Sequence, residues 1–370
     1  MGKPTLAVDL RALVPEPTGI GVYTERLLEA LAERGTFELL GLAHKPPTHA
    51  DQLTAAGVAL EDQSSPLGVL WQQVRLPLRL RRGDVDLVWS PILTLPRWCP
   101  VPAVATVHDL TAIHVPAAHT AKVRWSLRPF LRSTLRQARF VVTLSQAAAE
   151  DLKAFERSCA DRLRVVPPGV EPAFAPAPPA RIATMRNSLG APEGYWLFAG
   201  TLEPRKNVGA LVDAWLDLRQ RRPDVPPLVI AGGAGWGSDP LAQRIASLRD
   251  QGLHHVGRVP RARLVELFQG ASLFVFPSLY EGFGLPPLEA MACAVPVVTT
   301  DRSSLPEVVG EAGVLFDPDK PNALTEALEG LLDDPRRAAA LGEAGQRRAQ
   351  AFTWQKTAEG MERIFLEALD

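Results

Sequence analysis

Short runs of β-branched and aromatic residues alternate with amphipathic segments along nearly the whole chain. Examples of the runs are TLAVDL, RFVVTLS and PLVIAGG, and the segments 24–33 and 207–220 have helical periodicity. Strands that alternate with helices in this way predict parallel sheets covered by helices on both faces. The alternation therefore predicts an α/β fold.

A proline-rich stretch, PPGVEPAFAPAPPAR at 167–181, interrupts the alternation near the middle of the chain. Such a stretch continues neither a sheet nor a helix, and it is typical of a semi-rigid linker. A length of 370 residues also favours two domains. We predict two doubly wound, Rossmann-like domains over residues 1–172 and 173–352, followed by an amphipathic helix within 353–370.

Composition excludes several classes of protein. With 40 basic and 41 acidic residues the formal net charge is −1, which argues against a nucleic-acid coat. No apolar run approaches the roughly 18 residues of a membrane span. The three cysteines have no C-x-x-C spacing, so neither a disulfide framework nor a zinc site is expected. The N-terminus lacks the apolar region of a signal peptide, and we expect a cytoplasmic protein.

Two loops in the first half carry candidate binding residues. In doubly wound sheets, ligands bind beyond the carboxyl ends of the strands. Gly19 and Gly21 precede a helix there, and small residues let an anion approach backbone N–H groups. A tight turn without a ligand explains them equally well. His108 directly follows a strand and could exchange a proton or a hydrogen bond, or it could be a structural histidine paired with Asp109.

A third loop, GTLEPRKN, follows the strand WLFAG in the second half. Arg205 and Lys206 stand between that strand and a helix that starts near Asn207, a residue suited to capping it. Two cations beside a helix N-terminus at a strand's carboxyl end favour a polyanion site.

The fourth loop, EGFGLPPLEA, places two carboxylates at one mouth of the second sheet. Glu281 opens the loop, and Glu289 lies about one turn into the helix that follows it. Carboxylates accept hydrogen bonds from hydroxyls, whereas backbone amides donate to phosphates. The site therefore suits a ligand with sugar and diphosphate parts. The amides expected to face it belong to Phe283, Gly284 and Leu285.

Two specific motifs occur in the chain, GTLEPRKN and EGFGLPPLEAMACAVPVV, and the weaker motifs TGIG, VHDL and FTW occur with them in order. In these motifs the sequence resembles the family 4 retaining glycosyltransferases of GT-B fold. The resemblance covers nearly the whole chain. It implies two Rossmann-like domains that face each other across a cleft. The first would lie on the acceptor side, the second would bind the nucleotide sugar, and the closing helix would cross back to the first domain.

The resemblance also implies roles for individual residues. Arg205 and Lys206 would neutralise the donor's diphosphate in place of a metal, as part of the catalytic group with His108 and Glu281. Glu281 would bind hydroxyls of the transferred sugar, Glu289 the nucleotide ribose, and His108 would lie near the reacting centre. The further residues implied at the donor are Gly19, Gly21, Val256, Gly257, Arg258, Phe283, Gly284 and Leu285.

No metal and no cofactor are expected, because the nucleotide sugar is a co-substrate. The sequence contains two Asp-x-Asp pairs of the kind that metal-dependent glycosyltransferases use. The first lies at the amino end of a strand, away from the site, and the second lies in a turn before a helix. The pairs are Asp84 with Asp86 and Asp317 with Asp319.

Two positions depart from the family pattern. Ala294 stands where glycine is usual, which costs on the order of 1 kcal/mol if the backbone there has a positive φ. Val22 stands where close relatives often carry arginine after TGIG, which leaves the acceptor-side contacts open.

The donor is left open at this stage. TGIG, HDL and GGAGWG are most similar to mannosyltransferases of bacterial surface polysaccharides, which implies GDP-mannose and a glycan or lipid-linked acceptor. UDP-hexoses are the alternative donors. A nucleotide-sugar epimerase and a catalytically silent binding module are the alternative functions.

A basic stripe suggests a second partner. Arginines recur every four residues on one predicted helix face, where they could rest on an anionic membrane or hold a lipid-diphosphate acceptor. A solvated basic face is the simpler interpretation, so the chain is predicted to be cytoplasmic, with peripheral membrane contact as a hypothesis. The four residues are Arg124, Arg128, Arg132 and Arg136.

Overall fold

The computed structural model of the chain describes residues 2–14, 18–62, 65, 67–114, 121–235, 237 and 239–370. The chain divides into two compact units. The first contains the chain up to Leu110, Ala121–Gly169 and Thr353–Asp370, and the second contains Val170–Phe352 and the short helix that begins at Thr111. In the described part, no helix is long and apolar enough to cross a membrane.

The first unit contains a seven-stranded parallel sheet in the order β3-β2-β1-β4-β5-β6-β7. The order reverses between β1 and β4, and the crevice beyond the carboxyl ends of such strands is where doubly wound folds bind ligands. The strands are β1 Thr5–Asp9, β2 Glu38–Ala43, β3 Val58–Asp62, β4 Leu87–Ser90, β5 Ala103–Thr106, β6 Phe140–Thr143 and β7 Leu163–Val165. The helices of this part of the chain are α1 Gly19–Arg34, α2 Ala50–Ala55, α3 Gly68–Leu70, α4 Leu76–Leu80, α5 Thr111–His114, α6 Ala121–Gln137 and α7 Gln146–Phe155, with α5 grouped in the second unit.

The second unit contains a six-stranded parallel sheet in the order β10-β9-β8-β11-β12-β13, which reverses between β8 and β11. Its strands are β8 Trp196–Ala199, β9 Leu228–Ala231, β10 Leu253–Gly257, β11 Leu273–Phe276, β12 Val297–Thr300 and β13 Val314–Phe316. Its helices are α8 Pro179–Ser188, α9 Val208–Arg221, α10 Asp239–Ser247, α11 Arg261–Gly270, α12 Leu285–Ala292, α13 Leu305–Val309, α14 Ala323–Asp333 and α15 Pro335–Ala349.

The central strands of both sheets are continuous apolar runs that are buried along their whole length, as sheets covered on both faces require. This confirms the α/β prediction. The strands β2, β3 and β13 were not predicted from the sequence. Strand β2, ELLGLA, is made of residues with little strand preference, and its residues Glu38–Leu42 pair with β1.

The last helix, α16 (Trp354–Leu369), packs against α1 in the first unit. The Tyr23 ring meets the Trp354 ring edge-on, with centroids 5.8 Å apart. Arg34 on α1 holds Glu362 through two hydrogen bonds of 2.7 and 2.9 Å. The prediction that the closing helix returns to the first domain is confirmed.

Candidate functional site

The loops that follow β8 and β11 meet because these two strands are neighbours in the second sheet. A 3₁₀ turn, Pro204–Lys206, carries Arg205 and Lys206 after β8, and the segment after β11 carries Glu281. The backbone N–H of Leu279 donates to the carbonyl of Arg205 over 2.8 Å, which fastens the two loops together. The sheet order thus brings together residues that stand 75 positions apart.

One carboxylate oxygen holds both cations. Lys206 Nζ donates to Glu281 Oε1 over 2.5 Å, and Arg205 Nη1 donates to the same atom over 2.9 Å. The hydroxyl of Ser278 gives Oε1 a third hydrogen bond of 2.5 Å. Arg205 also donates through Nε to Glu203 over 2.9 Å. The predicted cations and the first predicted glutamate are therefore in direct contact.

Burial and charge act against each other in this cluster. It would raise the pKa of Glu281, but the charges of Lys206 and Arg205 outweigh it and hold that pKa below its usual value. Burial, with the charge of Arg205, lowers the pKa of Lys206. The Lys206 ammonium also lies 4.6 Å from the centroid of the Phe276 ring, a cation–π contact.

Two serines that the sequence analysis missed hold the backbone of the Glu281 loop. Ser303 and Ser304 both donate to the carbonyl of Glu281, over 2.5 and 2.9 Å, and Ser304 also donates to the carbonyl of Phe283 over 2.6 Å. They follow β12, the strand beside β11. No local motif marks them, because their role depends on the strand order.

Glu289 lies on α12 and is buried. Its Oε1 accepts a hydrogen bond of 2.6 Å from Arg261 Nη2, and Arg261 also donates to Glu171. Burial raises the pKa of Glu289, and the nearby Arg261 offsets only part of that rise. Neither Arg261 nor Glu171 was expected at the site.

Six of the other residues expected at the donor lie at the same edge of the second sheet, whereas Gly19 and Gly21 lie on α1 in the first unit. Gly284 precedes α12 with φ +118°, and Leu285 begins that helix. The Phe283 ring packs edge-on against Phe352, with centroids 5.8 Å apart. The remaining three lie at the carboxyl end of β10, the outermost strand beyond β9, and are Val256, Gly257 and Arg258. Asn207 stands at the N-cap position of α9, as expected, but its side chain makes no capping hydrogen bond, so only the side-chain part of that prediction is wrong.

In the first unit, His108 follows β5 and is buried. Its Nε2 lies 2.7 Å from the carbonyl oxygen of Pro91, so Nε2 carries the proton and donates it. Burial lowers the pKa of His108, against smaller upward contributions from Pro91 and Asp109. The ring is therefore neutral near pH 7, with Nδ1 as an acceptor. The alternative interpretation is a structural histidine paired with Asp109. It is wrong about the partner, because the hydrogen bond of His108 goes to Pro91.

The two glycines of TGIG differ in what surrounds them. Gly19 begins α1, and a Cβ built there would meet nothing within 4 Å. The N–H of Gly21 donates to Thr18 Oγ1 over 3.2 Å, so that group is already capped. A Cβ at Gly21 would lie 3.0 Å from the carbonyl oxygen of Ala12. Close packing against Ala12 therefore explains Gly21, whereas the space beside Gly19 would admit a side chain.

Both Asp-x-Asp pairs have structural partners. Arg79 donates to Asp84 over 2.6 and 2.9 Å, and Asp86 accepts from the backbone of Thr5. Arg302 donates to the second pair, Asp317 and Asp319. Among the described residues, no three His, Cys, Asp or Glu side chains are grouped so as to hold a metal ion.

The basic stripe lies on α6, whose first residues are described by their backbone alone, Arg124 among them. Arg128, Arg132 and Arg136 are exposed. Arg136 pairs with Glu156 over 3.0 Å, and Arg132 lies 5.2 Å from the centroid of the Phe155 ring. Part of the charge of the stripe is therefore already paired.

Two family models match the chain, one to each half. "Glycosyltransferase Family 4" matches residues 17–174, and "Glycosyl transferases group 1" matches residues 182–348. The chain is 32% identical over 358 residues to an O-antigen chain mannosyltransferase B of Escherichia coli, covering 91% of this chain and 93% of that protein. It is 33% identical over 307 residues to a D-inositol 3-phosphate glycosyltransferase of Arthrobacter sp. (strain FB24), covering 77% and 71%.

Solved structures share the whole architecture. Anabaena Alr3699/HepE, in complex with UDP and glucose, superposes with a TM-score of 0.77 at 21% identity, over 98% of this chain and 99% of that one. WaaG, a glycosyltransferase involved in lipopolysaccharide biosynthesis, does so with a TM-score of 0.77 at 19% identity, over 97% and 99%. These likenesses show the fold alone, two parallel-sheet units of the GT-B type in one chain.

Proposed function

Since the chain belongs to glycosyltransferase family 4 and has the GT-B fold, we propose that it transfers mannose from GDP-mannose to a glycan or lipid-linked acceptor in cell-surface polysaccharide synthesis. The family makes the chain a glycosyltransferase, with a nucleotide-sugar donor and a glycan acceptor. The choice of mannose is supported by the E. coli relative, which is named as an O-antigen mannosyltransferase.

The observation that carries the proposal is the cluster of Arg205, Lys206 and Glu281 at the reversal point of the second sheet. When the nucleotide leaves, negative charge grows on the diphosphate. Two cations already fixed at this edge would stabilise that charge more in the transition state than in the ground state. An ammonium has three N–H donors, and Glu281 takes one from Lys206, so further donors serve phosphate oxygens.

The remaining roles follow from the acceptors at the site. We assign Glu281 to hydroxyls of the transferred sugar and Glu289 to the ribose. His108, whose Nδ1 is an acceptor, is assigned to a donor-sugar hydroxyl. Glu281 Oε1 accepts three hydrogen bonds, an arrangement that suits positioning better than nucleophilic attack. We therefore propose retention of the anomeric configuration through attack on the leaving-group face, without a metal.

The test of the donor is thermal unfolding with GDP, UDP, ADP and their sugar conjugates, with and without EDTA. A ligand at about 100 times its Kd adds about 2.7 kcal/mol of stability. We expect a shift with GDP and GDP-mannose that EDTA does not change. A shift with UDP compounds alone would contradict mannose and keep glycosyl transfer. An epimerised nucleotide sugar formed without an acceptor would identify the chain as an epimerase.

Contact with an anionic membrane is also part of the proposal, and a helical segment of the first unit supports it better than the stripe on α6. Between residues 67 and 82, which include α3 and α4, every exposed side chain is aliphatic or arginine. An apolar ridge bordered by arginines suits the interface of an anionic bilayer. The ridge consists of Leu67, Val69, Leu70, Val74 and Leu78, bordered by Arg75, Arg81 and Arg82. Arg82 lies 3.8 Å from Glu61 and Arg81 lies over the Trp98 ring, so the exposed apolar side chains, rather than unpaired charge, distinguish the ridge from the stripe.

Flotation with vesicles of phosphatidylglycerol and phosphatidylcholine tests the membrane contact. We expect binding that requires the anionic lipid and that is lost in Leu70→Glu/Leu78→Glu. The matched control is Leu366→Glu, an exposed leucine on α16, which should bind as the wild type does. Loss of binding in Arg128→Ala/Arg132→Ala alone would assign the contact to the stripe on α6. Absence of binding in the wild type would refute membrane contact.

A further inference from the structure

Arg261 connects two parts of the second unit that sequence analysis had treated separately. Its Nη2 donates to Glu171 Oε1 over 2.5 Å and to Glu289 Oε1 over 2.6 Å, and its Nε donates to Glu171 Oε1 over 2.8 Å. Glu171 belongs to the proline-rich segment that starts the second unit, whereas Glu289 lies on α12. One guanidinium therefore bridges two carboxylates.

The surroundings leave this guanidinium little freedom. It lies 4.5 Å from the centroid of the Phe174 ring, and that ring packs edge-on against Phe268 of α11. Gln269, next to Phe268 at the carboxyl end of α11, donates through Nε2 to the carbonyl of Ala175 over 2.9 Å. The proline-rich segment is thus attached to both ends of the helix that carries Arg261.

We propose that Glu171 and Arg261 are positioning residues, which hold Oε1 of Glu289 so that its other oxygen, Oε2, receives a ribose hydroxyl of the nucleotide. The inference deepens the proposed function and rests on its assignment of Glu289 to the ribose. Neither residue touches the ligand in this proposal, and both act through Glu289.

Charge and geometry give the reason. Glu289 is 4% exposed, so without a partner its carboxylate would be costly to ionise. Arg261 supplies the opposite charge, which favours the ionised form of Glu289, and its planar donors also orient the carboxylate. Glu171 in turn accepts hydrogen bonds from two donors of Arg261, Nε and Nη2, which fixes the orientation of the guanidinium relative to Glu289. An ionised, oriented carboxylate is the stronger acceptor for a hydroxyl.

Titration calorimetry with GDP and 2′,3′-dideoxy-GDP tests the proposal without requiring an acceptor. The wild type should prefer GDP about 10- to 100-fold, the range for a hydrogen bond to a charged group. Arg261→Met and Glu171→Gln should lose most of this preference while their affinity for 2′,3′-dideoxy-GDP stays near that of the wild type. The matched control is Arg263→Met on the same helix, whose arginine pairs with Glu266 and should leave the preference intact.

The outcomes distinguish a failure of the ribose contact of Glu289 from a failure of the positioning role of Glu171 and Arg261. If the wild type prefers neither GDP over 2′,3′-dideoxy-GDP nor UDP over its dideoxy analogue, the ribose contact is contradicted, and the positioning role is contradicted with it. A wild-type preference that persists in both variants overturns the positioning alone. Equal loss of affinity for both nucleotides shows a merely structural role and also overturns it. If Arg261→Met does not fold, the nearly isosteric Glu171→Gln decides between these results.

Discussion

The two units share a doubly wound topology, yet the edges where their central strands end differ in charge. The edge of the second unit holds Arg205, Lys206 and Glu281 in direct contact. At the edge of the first unit, the charges of Asp9 and Arg11 at the end of β1 are paired with each other over 2.6 Å. Two strands along in the sheet order, β5 leads to a neutral His108, whose ring centroid is 4.9 Å from that of Tyr23. Similar scaffolds therefore carry different chemistry, as expected when function depends on the loops at the strand ends.

This difference suits the two ends of the reaction that we propose. A departing diphosphate needs fixed positive charge, whereas a neutral sugar ring needs hydrogen-bond acceptors and an apolar wall. Extra cations beside the sugar would work against the positive charge that develops on its ring in the transition state. The comparison therefore predicts that substitutions in the charged edge affect turnover most.

The largest expected effect follows from removing one cation of the charged edge. Lys206→Ala should lower kcat by about 10²–10³, the usual cost of losing one donor at a developing charge. The KM for the acceptor should change much less, because Lys206 is assigned to the donor. Steady-state kinetics with GDP-mannose measure both constants.

The matched control for that variant is Lys153→Ala, which removes an exposed lysine paired with Glu150 in the first unit. It should leave kcat unchanged. An unchanged kcat in Lys206→Ala would contradict electrostatic stabilisation by this cluster and remove the contrast between the two edges.

The neutral edge makes a prediction about pH. The pKa of His108 is lowered from 6.5 in the folded chain, so the unfolded chain binds the proton first as the pH falls. The stability that His108 contributes is complete above pH 6.5 and is lost as the pH falls towards its folded pKa. The loss approaches about 1.4 kcal/mol per pH unit for one proton.

His108→Gln tests this dependence, because glutamine does not titrate and its amide can still donate to Pro91. The variant should lose less stability than the wild type between pH 7.5 and pH 5.5, measured as the shift in Tm at each pH. Parallel curves for the two proteins would show that His108 has the same pKa in the folded and the unfolded chain. His108 would then be no more neutral near pH 7 than an exposed histidine.

Sequence analysis located the charged edge because its motifs are local. Arg205 with Lys206, and Glu281, stand in two short loops, and Glu289 stands on the helix that directly follows the second loop, so their placement follows from the strand–helix alternation. Arg261 was missed because its contact with Glu289 spans 28 residues and depends on where α11 lies beside α12. The partners of His108 were missed for the same reason, since Pro91 reaches it only through the pairing of β4 with β5.

The smallest effect concerns how a helix ends in each unit. Helix α1 ends at Gly35 with φ +64°, whereas the turn after α12, which carries Glu289, contains Ala294 with φ +60°. Alanine costs on the order of 1 kcal/mol where φ is positive, and φ is positive at Ala294. Ala294→Gly should therefore raise the stability by up to about 1 kcal/mol.

The reverse substitution in the other unit is the matched control. A Cβ at Gly35 would have its nearest neighbours at 3.7 and 3.9 Å, so Gly35→Ala introduces the backbone cost without a clash. It should lower the stability by about the amount that Ala294→Gly adds. Calorimetric Tm values measure both. If Ala294→Gly lowered Tm, the contacts of the Ala294 methyl group would outweigh its backbone strain, and the alanine would then stabilise the helix that positions Glu289.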